Sequence, residues 1–308
     1  MQILVTGGAG FIGSHLVRWL CQEGHRVRVL DNLSTGKRAR LAPVASRITF
    51  LEGDIQNLAL VQDAMQGVEI VFHLAALVSV VQSVEEPLLA HASNATGTLH
   101  VLEAARGAGV RRVVQMSSSA VYGATEHIPT DETVSPAPLS PYALTKLVAE
   151  QTGQLYTRLY GLETVALRGF NIYGPGQDPA SPYAAVIPRF VAALRQGKQP
   201  TIYGDGHQSR DFVFVGDVVQ AMWQAATGAN LSGEVFNIGR GEVCTVLELA
   251  NLVGEAMGVA VRPTLAPPRE GEIRHSCADV SRFAARAGYV AQTSLRQGLA
   301  ATVAAVGQ

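Results

Sequence analysis

Cysteine is scarce: the 308 residues hold only Cys21, Cys244 and Cys277. Three thiols, far apart and without CxxC or Cys/His spacing, argue against a disulfide framework and a zinc site, and fit a reducing cytoplasm. Charge is also sparse, at 16% of residues with a formal net charge of -1. Such a chain has no long-range field to gather nucleic acid or an anionic membrane, so any anionic ligand must be caught by local groups. No apolar run approaches the roughly 20 residues that a membrane helix needs. Met1 leads straight into QILVTGG, with neither a basic region nor an apolar signal core; a soluble cytoplasmic protein is expected. Internal repeats and low-complexity tracts are lacking too.

What is present is apolar material, 47% of the chain, enough for about two domain-sized units. Short β-branched runs alternate with amphipathic helical segments through the first half, the pattern of an α/β protein with a doubly wound parallel sheet. Strands are expected at 2–6, 26–30, 48–52, 69–74, 112–116 and 163–168, with one more at 234–239 returning to the same sheet. Long helices are expected near 91–109 and 142–161. Several helices should end at glycine, Gly24, Gly67 and Gly161 among them. After Phe170 the texture changes: NIYGPGQDPASPYAAVIP and LAPPREGEIRHS both read as loops. Residues 1–169 are thus expected to bind a nucleotide, and 170–308 mainly to form a smaller α/β substrate domain.

Six motifs carry chemistry. TGGAGFIG sets Gly7, Gly10 and Gly13 between a strand and a helix, where backbone can approach a pyrophosphate resting on the helix N-terminus. Asp31 ends the next strand, where a carboxylate accepts from a ribose 2′-hydroxyl and repels a 2′-phosphate, which favours NAD over NADP. GDI and HLAA end the third and fourth strands; His73 reads as a satisfied strand-end residue rather than a catalyst. SSSAVYG then ends the fifth strand, and SPYALTK opens the following helix with Tyr142 and Lys146 one turn apart. A free tyrosine has a pKa of about 10, and an ammonium one turn away, together with the positive nicotinamide ring, would lower it. A serine hydroxyl beside it could hold a substrate hydroxyl as that group loses its proton. Each motif has a plainer reading: a packing turn, a turn-starting Asp, or a common helical spacing. Their register along one chain favours the chemical one.

With TGGAGFIG, DNLSTG, GDI, HLAA, SSSAVYG, SPYALTK, FNIYGPG, GDGHQSRDFVFVGDV and REGE in order, the chain resembles the extended short-chain dehydrogenase/reductase family, and within it the nucleotide-sugar epimerases. The resemblance runs essentially end to end. It implies that Gly7, Gly10, Phe11, Ile12 and Gly13 hold the NAD pyrophosphate. Asp31, with Asn32, Ser34, Thr35 and Gly36 of its turn, would meet the adenosine ribose, and Asp54 with Ile55 the adenine. Leu74, Ala75, Ala76, Asn94 and Phe170 would line the cofactor pocket. Ser118, Tyr142 and Lys146 take the catalytic positions, Tyr142 as base. Asn171, Arg210, Arg269 and Glu272 would grip the nucleotide diphosphate of a UDP-hexose whose C4 is inverted. No metal is implied. A homodimer is, through the helices near 91–109 and 142–161.

The chain departs from its relatives in places. Related 4,6-dehydratases carry an Asp-Glu pair before VYG, where Ser119 and Ala120 stand here, so dehydration is disfavoured. Val78 replaces a lysine common in hexose epimerases. Gly169 stands where a tyrosine is usual, which is expected to enlarge the pocket. Ser79, Asn171, Gln177, Ala185 and above all Ser276 match members that admit a 2-acetamido group. Alternatives left open are a relative acting on a dTDP-sugar or a UDP-uronic acid, and a catalytically silent NAD sensor regulating a partner.

Overall fold

The computed structural model describes residues 1–179, 184–268 and 273–306, so Arg269 and Glu272 lie outside the described residues. The first half runs β1 (Gln2–Thr6), α1 (Phe11–Gln22), β2 (Arg26–Asp31), β3 (Ile48–Glu52), α2 (Leu58–Ala64), β4 (Ile70–His73), α3 (Val80–Glu85), α4 (Pro87–His91), α5 (Gly97–Gly107), β5 (Arg112–Ser118), α6 (Pro141–Tyr160) and β6 (Glu163–Gly169). The second runs β7 (Asn171–Tyr173), α7 (Val186–Arg195), β8 (Thr201–Tyr203), β9 (Ser209–Arg210), β10 (Phe212–Phe214), α8 (Val215–Thr227), β11 (Glu234–Ile238), β12 (Cys244–Thr245), α9 (Val246–Met257), β13 (Thr264–Ala266), α10 (Ser281–Ala287) and α11 (Leu295–Val306).

Among the described residues, seven strands form one parallel sheet in the order β11-β6-β5-β4-β1-β2-β3. Its inner strands β1, β4 and β5 are buried on both faces, which is why they read as near-continuous apolar runs, whereas the edge strand β3 is only half-buried. Leu16, Val17 and Leu20 of α1 pack with Val218 and Met222 of α8 on one face. Val61 of α2, Val101 and Leu102 of α5 and Tyr156 of α6 cover the other. β1 lies between β2 and β4, so the strand order reverses there and opens a crevice at the carboxyl ends of β1 and β4.

A second core gathers Tyr173, Phe190, Ile202, Phe212, Leu249 and Leu299 from elements after β6. Three later pieces belong to the large sheet instead: α8 packs on α1, β11 extends the sheet beside β6, and α10 packs on β11.

The two segments read as loops each hold residues of a short strand. Asn171–Tyr173 pairs in parallel with Phe212–Phe214, and Leu265 and Ala266 pair with Ile202 and Tyr203. Three-residue strands are too short to show a period of two. The helix expected near 91–109 begins earlier, at Pro87, and is interrupted by a π-helical turn over Ala92–Thr96. α6 starts at Pro141 under a Ser140 cap, whose hydroxyl accepts from the Ala143 amide at 3.2 Å, and stops at Gly161 with φ +70°. No helix among the described residues is long and apolar enough to cross a membrane.

Candidate active site

The glycine turn is a cradle built for backbone. A Cβ on Gly7 would sit 2.7 Å from the Ala75 amide nitrogen, and one on Gly13 would sit 2.2 Å from the Gly7 carbonyl oxygen. Gly10 opens α1 with no side-chain cap and no acidic residue in the first turn, so the helix N-terminus is left for an anion. Phe11 and Ile12 occupy that first turn. These are the features that a dinucleotide's pyrophosphate requires.

Asp31 is buried, and its two oxygens accept from the Ala9 amide at 2.9 Å and the Leu33 amide at 2.8 Å. A Cβ on Gly36 would meet Asp31 Oδ1 at 2.6 Å, so the DNLSTG turn folds tightly over the carboxylate. Ser34 and Thr35 are exposed on that turn, and the Ser34 amide donates to Asn32 Oδ1. Asn32 Nδ2 reaches Asp54 Oδ2 at 2.7 Å, which joins the ends of β2 and β3 on one rim. Ile55 turns its side chain into the core against Gly97. Any contact it makes with an adenine is therefore through backbone.

At the end of β4, His73 is locked between Thr6 Oγ1 at 2.7 Å and Thr98 Oγ1 at 2.9 Å. Burial, with the Lys146 ammonium adding to it, holds its pKa down at about 3. It is neutral and structural. Leu74, Ala75 and Ala76 follow, and the Ala75 amide points at Thr6 Oγ1. Asn94, in the π-helical turn, spends its amide on the Leu77 nitrogen (2.7 Å), the Leu77 oxygen (3.0 Å) and Thr145 Oγ1 (3.1 Å). It shapes the wall of the crevice.

Ser118 ends β5, and Tyr142 and Lys146 rise from the first turns of α6. Tyr142 is anchored through its amide, which donates to the buried Ser83 hydroxyl of α3 at 3.0 Å. The sequence expects Lys146 to lower the Tyr142 pKa, but the protein alone does the opposite. Burial raises it, and only the Ser118 hydroxyl, hydrogen-bonded to the phenol, works against that. The reason is geometric: Lys146 Nζ lies 5.9 Å from the centre of the Tyr142 ring and donates to the Met116 carbonyl at 2.9 Å. Lys146 itself is lowered to about 8 by burial, opposed by Glu150.

Phe170 is buried with Val121 and Tyr122 beside this group. Gly169 does not enlarge the pocket as expected, because a Cβ there would meet Ile172 Cδ1 at 2.8 Å; Ile172 and Met116 fill the space. Val78 is 62% exposed.

On the far side, the Asn171 amide group donates to the Asp211 carbonyl at 3.0 Å, and the Gln177 amide bridges Ile172 and Gly174. Arg210 leans on the Ser209 and Arg274 carbonyls. The Ser276 amide donates to the Ser209 carbonyl at 3.1 Å, which brings Ser276 beside Arg210. Ser79 caps α3, and Ala185 precedes α7 without a side-chain cap. A cavity of about 510 Å³ lies alongside, lined by Tyr203, Gly204, Asp205, Gln208, Ala266, Pro268 and Arg274. Sequence reading passed over this cavity, although Tyr203-Gly204 just ahead of the arginine was the available signal. It also passed over the buried pair Glu150–Arg168 beneath Lys146, signalled by an arginine inside the apolar strand ETVALR.

A family model described as "NAD dependent epimerase/dehydratase family" matches residues 3–239. The chain belongs to that family, and its cofactor is NAD. Among individual relatives, the UDP-glucose 4-epimerase of Mycolicibacterium smegmatis is 40% identical over 98% of this chain and 97% of its own length. The solved UDP-glucose 4-epimerase of Thermotoga maritima with UDP-glucose superposes with a TM-score of 0.95 at 39% identity, covering 100% of this chain and 99% of that one. The UDP-N-acetylglucosamine 4-epimerase from Methanobrevibacter ruminantium M1, in complex with UDP-N-acetylmuramic acid, gives 0.95 at 36%, covering 99% and 97%.

Proposed function

We propose that this enzyme inverts C4 of a UDP-hexose, interconverting UDP-glucose with UDP-galactose and also the 2-acetamido pair, through a 4-keto sugar. The observation that carries the reading is the convergence of Ser118, Tyr142 and Lys146 at the β5–α6 edge beside the glycine cradle. Ser119 and Ala120 stand where a dehydratase carries its acid and base, which disfavours elimination of water. The similarity to 4-epimerases across nearly the whole chain supports the same reading.

Tyr142 Oη accepts the proton of the sugar 4-hydroxyl, and the Ser118 hydroxyl orients that oxygen. Burial opposes the phenolate, and Lys146 as it stands does not offset it, so further positive charge is required. NAD, when bound, supplies the acceptor and donor of a hydride for C4 and a cationic ring that favours the phenolate. Gly7, Gly10, Gly13, Asp31 and Lys146 are the residues that would hold it. The 4-keto sugar must turn over before C4 is reduced on its other face, so binding energy is spent on the UDP rather than the hexose. Tyr203 in the lining of the 510 Å³ cavity would stack the nucleotide base, and the Arg210 guanidinium is suited to pair the diphosphate. Ser276, small and beside Arg210, leaves room for a 2-acetamido group.

The functional unit is a homodimer. Val81 and Val84 of α3, Leu88 of α4 and Leu144, Leu155 and Leu159 of α6 are all exposed, Leu88 by 85%. That much apolar surface on helices packed side by side calls for a partner.

The test is proton NMR of the purified enzyme with UDP-glucose and UDP-N-acetylglucosamine in separate tubes and no NAD added. Growth of galacto anomeric signals in both is expected. If neither sugar changes, the 4-epimerase reading fails for these substrates.

A further inference from the structure

Beneath the tyrosine and lysine lies a buried polar spine that the reaction as described does not use. Tyr142, Lys146 and Glu150 stand at i, i+4 and i+8 on one face of α6. Glu150 is 2% exposed, and both of its oxygens are engaged. Oε1 accepts from the Ser117 hydroxyl and from Arg168 Nε at 3.0 Å, and Oε2 accepts from Arg168 Nη2 at 2.7 Å. Ser117 directly precedes Ser118 on β5, and Met116, one residue earlier, supplies the carbonyl that holds Lys146 Nζ. Arg168 sits on β6, two residues before Phe170. Its guanidinium lies 4.7 Å over the Tyr122 ring, whose hydroxyl donates to Asn237 Oδ1 on β11 at 2.7 Å. One carboxylate thus ties together the three elements that carry the site.

A buried ion pair is seldom worth keeping for stability, since apolar residues of similar volume do as well or better. A positional and electrostatic task is a better reason. Among the described residues, the titratable and charged groups around Lys146 are few: Tyr142 and Glu150 on its own helix, His73 on β4, and Arg168 with Tyr122 beyond Glu150. His73 is neutral, with both ring nitrogens engaged by threonines. Arg168 faces Glu150 rather than the lysine. Glu150 is therefore the anion that offsets the burial of the Lys146 ammonium.

We infer that Glu150 is a positioning residue: it keeps Lys146 in its ammonium form near neutral pH and fixes the Ser117–Ser118 strand end against α6. This rests on the reading of Tyr142 and Lys146 as the reacting pair, but its test does not. The chain has three lysines, Lys37, Lys146 and Lys198, so protein labelled with ¹³C at lysine Cε gives a spectrum in which the buried one is followed directly. With the protein as purified, Glu150→Gln is expected to move the Lys146 titration down by roughly one pH unit or more. The alkaline limb of kcat should fall at correspondingly lower pH. Glutamine leaves Arg168 buried without its counter-ion, so the double variant Glu150→Met, Arg168→Met serves if the single one does not fold, and a smaller downward shift is expected because a cation is removed with the anion. Ser117→Ala keeps the carboxylate and should leave the Lys146 titration in place. An unmoved Lys146 in folded Glu150 variants overturns the inference, as does an equal shift in Ser117→Ala. Loss of epimerase activity in the parent would sink the functional reading and leave the titration result standing.

Discussion

Gly7 and Gly24 make a controlled pair. Both adopt positive φ, +70° and +81°, a region where an L side chain costs about 1 kcal/mol. Their surroundings differ. A Cβ on Gly24 meets nothing within 4 Å, whereas on Gly7 it would meet the Ala75 nitrogen at 2.7 Å and the Ala75 Cα and Leu74 carbonyl carbon at 2.9 Å. Those are backbone atoms at the end of β4, and no rotamer change relieves them. The strand must shift away from β1, an overpacking cost of about 1–3 kcal/mol. Gly24→Ala should therefore lose about 1 kcal/mol and Gly7→Ala about 2–4 kcal/mol. Guanidinium unfolding followed by the two tryptophans reads this directly, because Trp19 and Trp223 lie 5.3 Å apart across α1 and α8. Curves taken with excess NAD and without it separate stability from cofactor binding. Gly7→Ala should also purify with less NAD, since the cradle opens as the strand moves. Equal losses in the two variants, with equal NAD content, would refute the close-approach argument and reduce Gly7 to an ordinary turn residue.

Tyr142→Phe should lower turnover by about 10²-fold or more while the protein still purifies with NAD; full activity would remove Tyr142 as the base. Ser276→Tyr should suppress reaction with UDP-N-acetylglucosamine more than with UDP-glucose, measured as paired kcat/KM values, and equal loss would show that Ser276 does not gate the sugar. His73 has a folded pKa near 3 against about 6.5 unfolded, so the unfolded chain takes up the proton first. Stability from this group is complete above about pH 6.5 and drains as pH falls toward 3, by up to about 4 kcal/mol. His73→Gln should flatten that stretch of the acid unfolding profile; an unchanged slope would contradict the burial argument. Leu155→Glu with Leu159→Glu should convert a particle of about twice 32.6 kDa to monomer in sedimentation, and a parent already monomeric would refute the dimer.

The parts of the fold that the sequence made legible are those dictated locally. Ile3, Leu4 and Val5 form a buried strand because nothing else suits an apolar run that short between Met1 and a glycine turn. Gly161 ends α6 because only glycine takes its φ of +70° without cost. The cofactor motifs were legible for the same reason, each being a strand end followed by a turn. The rest depends on partners distant in sequence. Asn171–Tyr173 is a strand only because Phe212–Phe214 lies beside it. Glu150 looks like any exposed helix carboxylate until β6 delivers Arg168 beneath it. The π-helical turn at Ala92–Thr96 follows no pattern in ASNAT, yet it aims Asn94 at Leu77.

The place of β11 has a consequence for how the chain is made. β6 is complete at Gly169, but its outer edge is covered only when Glu234–Ile238 arrives. During synthesis at ~5–20 residues per second, that apolar edge stands open for several seconds, a template for pairing with any other strand. A ribosome that stalls in this interval holds a chain with an unpaired sheet edge and, before Thr227, an incomplete α8 to shield its face. Nascent-chain quality control should therefore engage this protein between residues 170 and 238 more than at any later point. Truncations ending just before β11 should aggregate where those ending after it remain in solution.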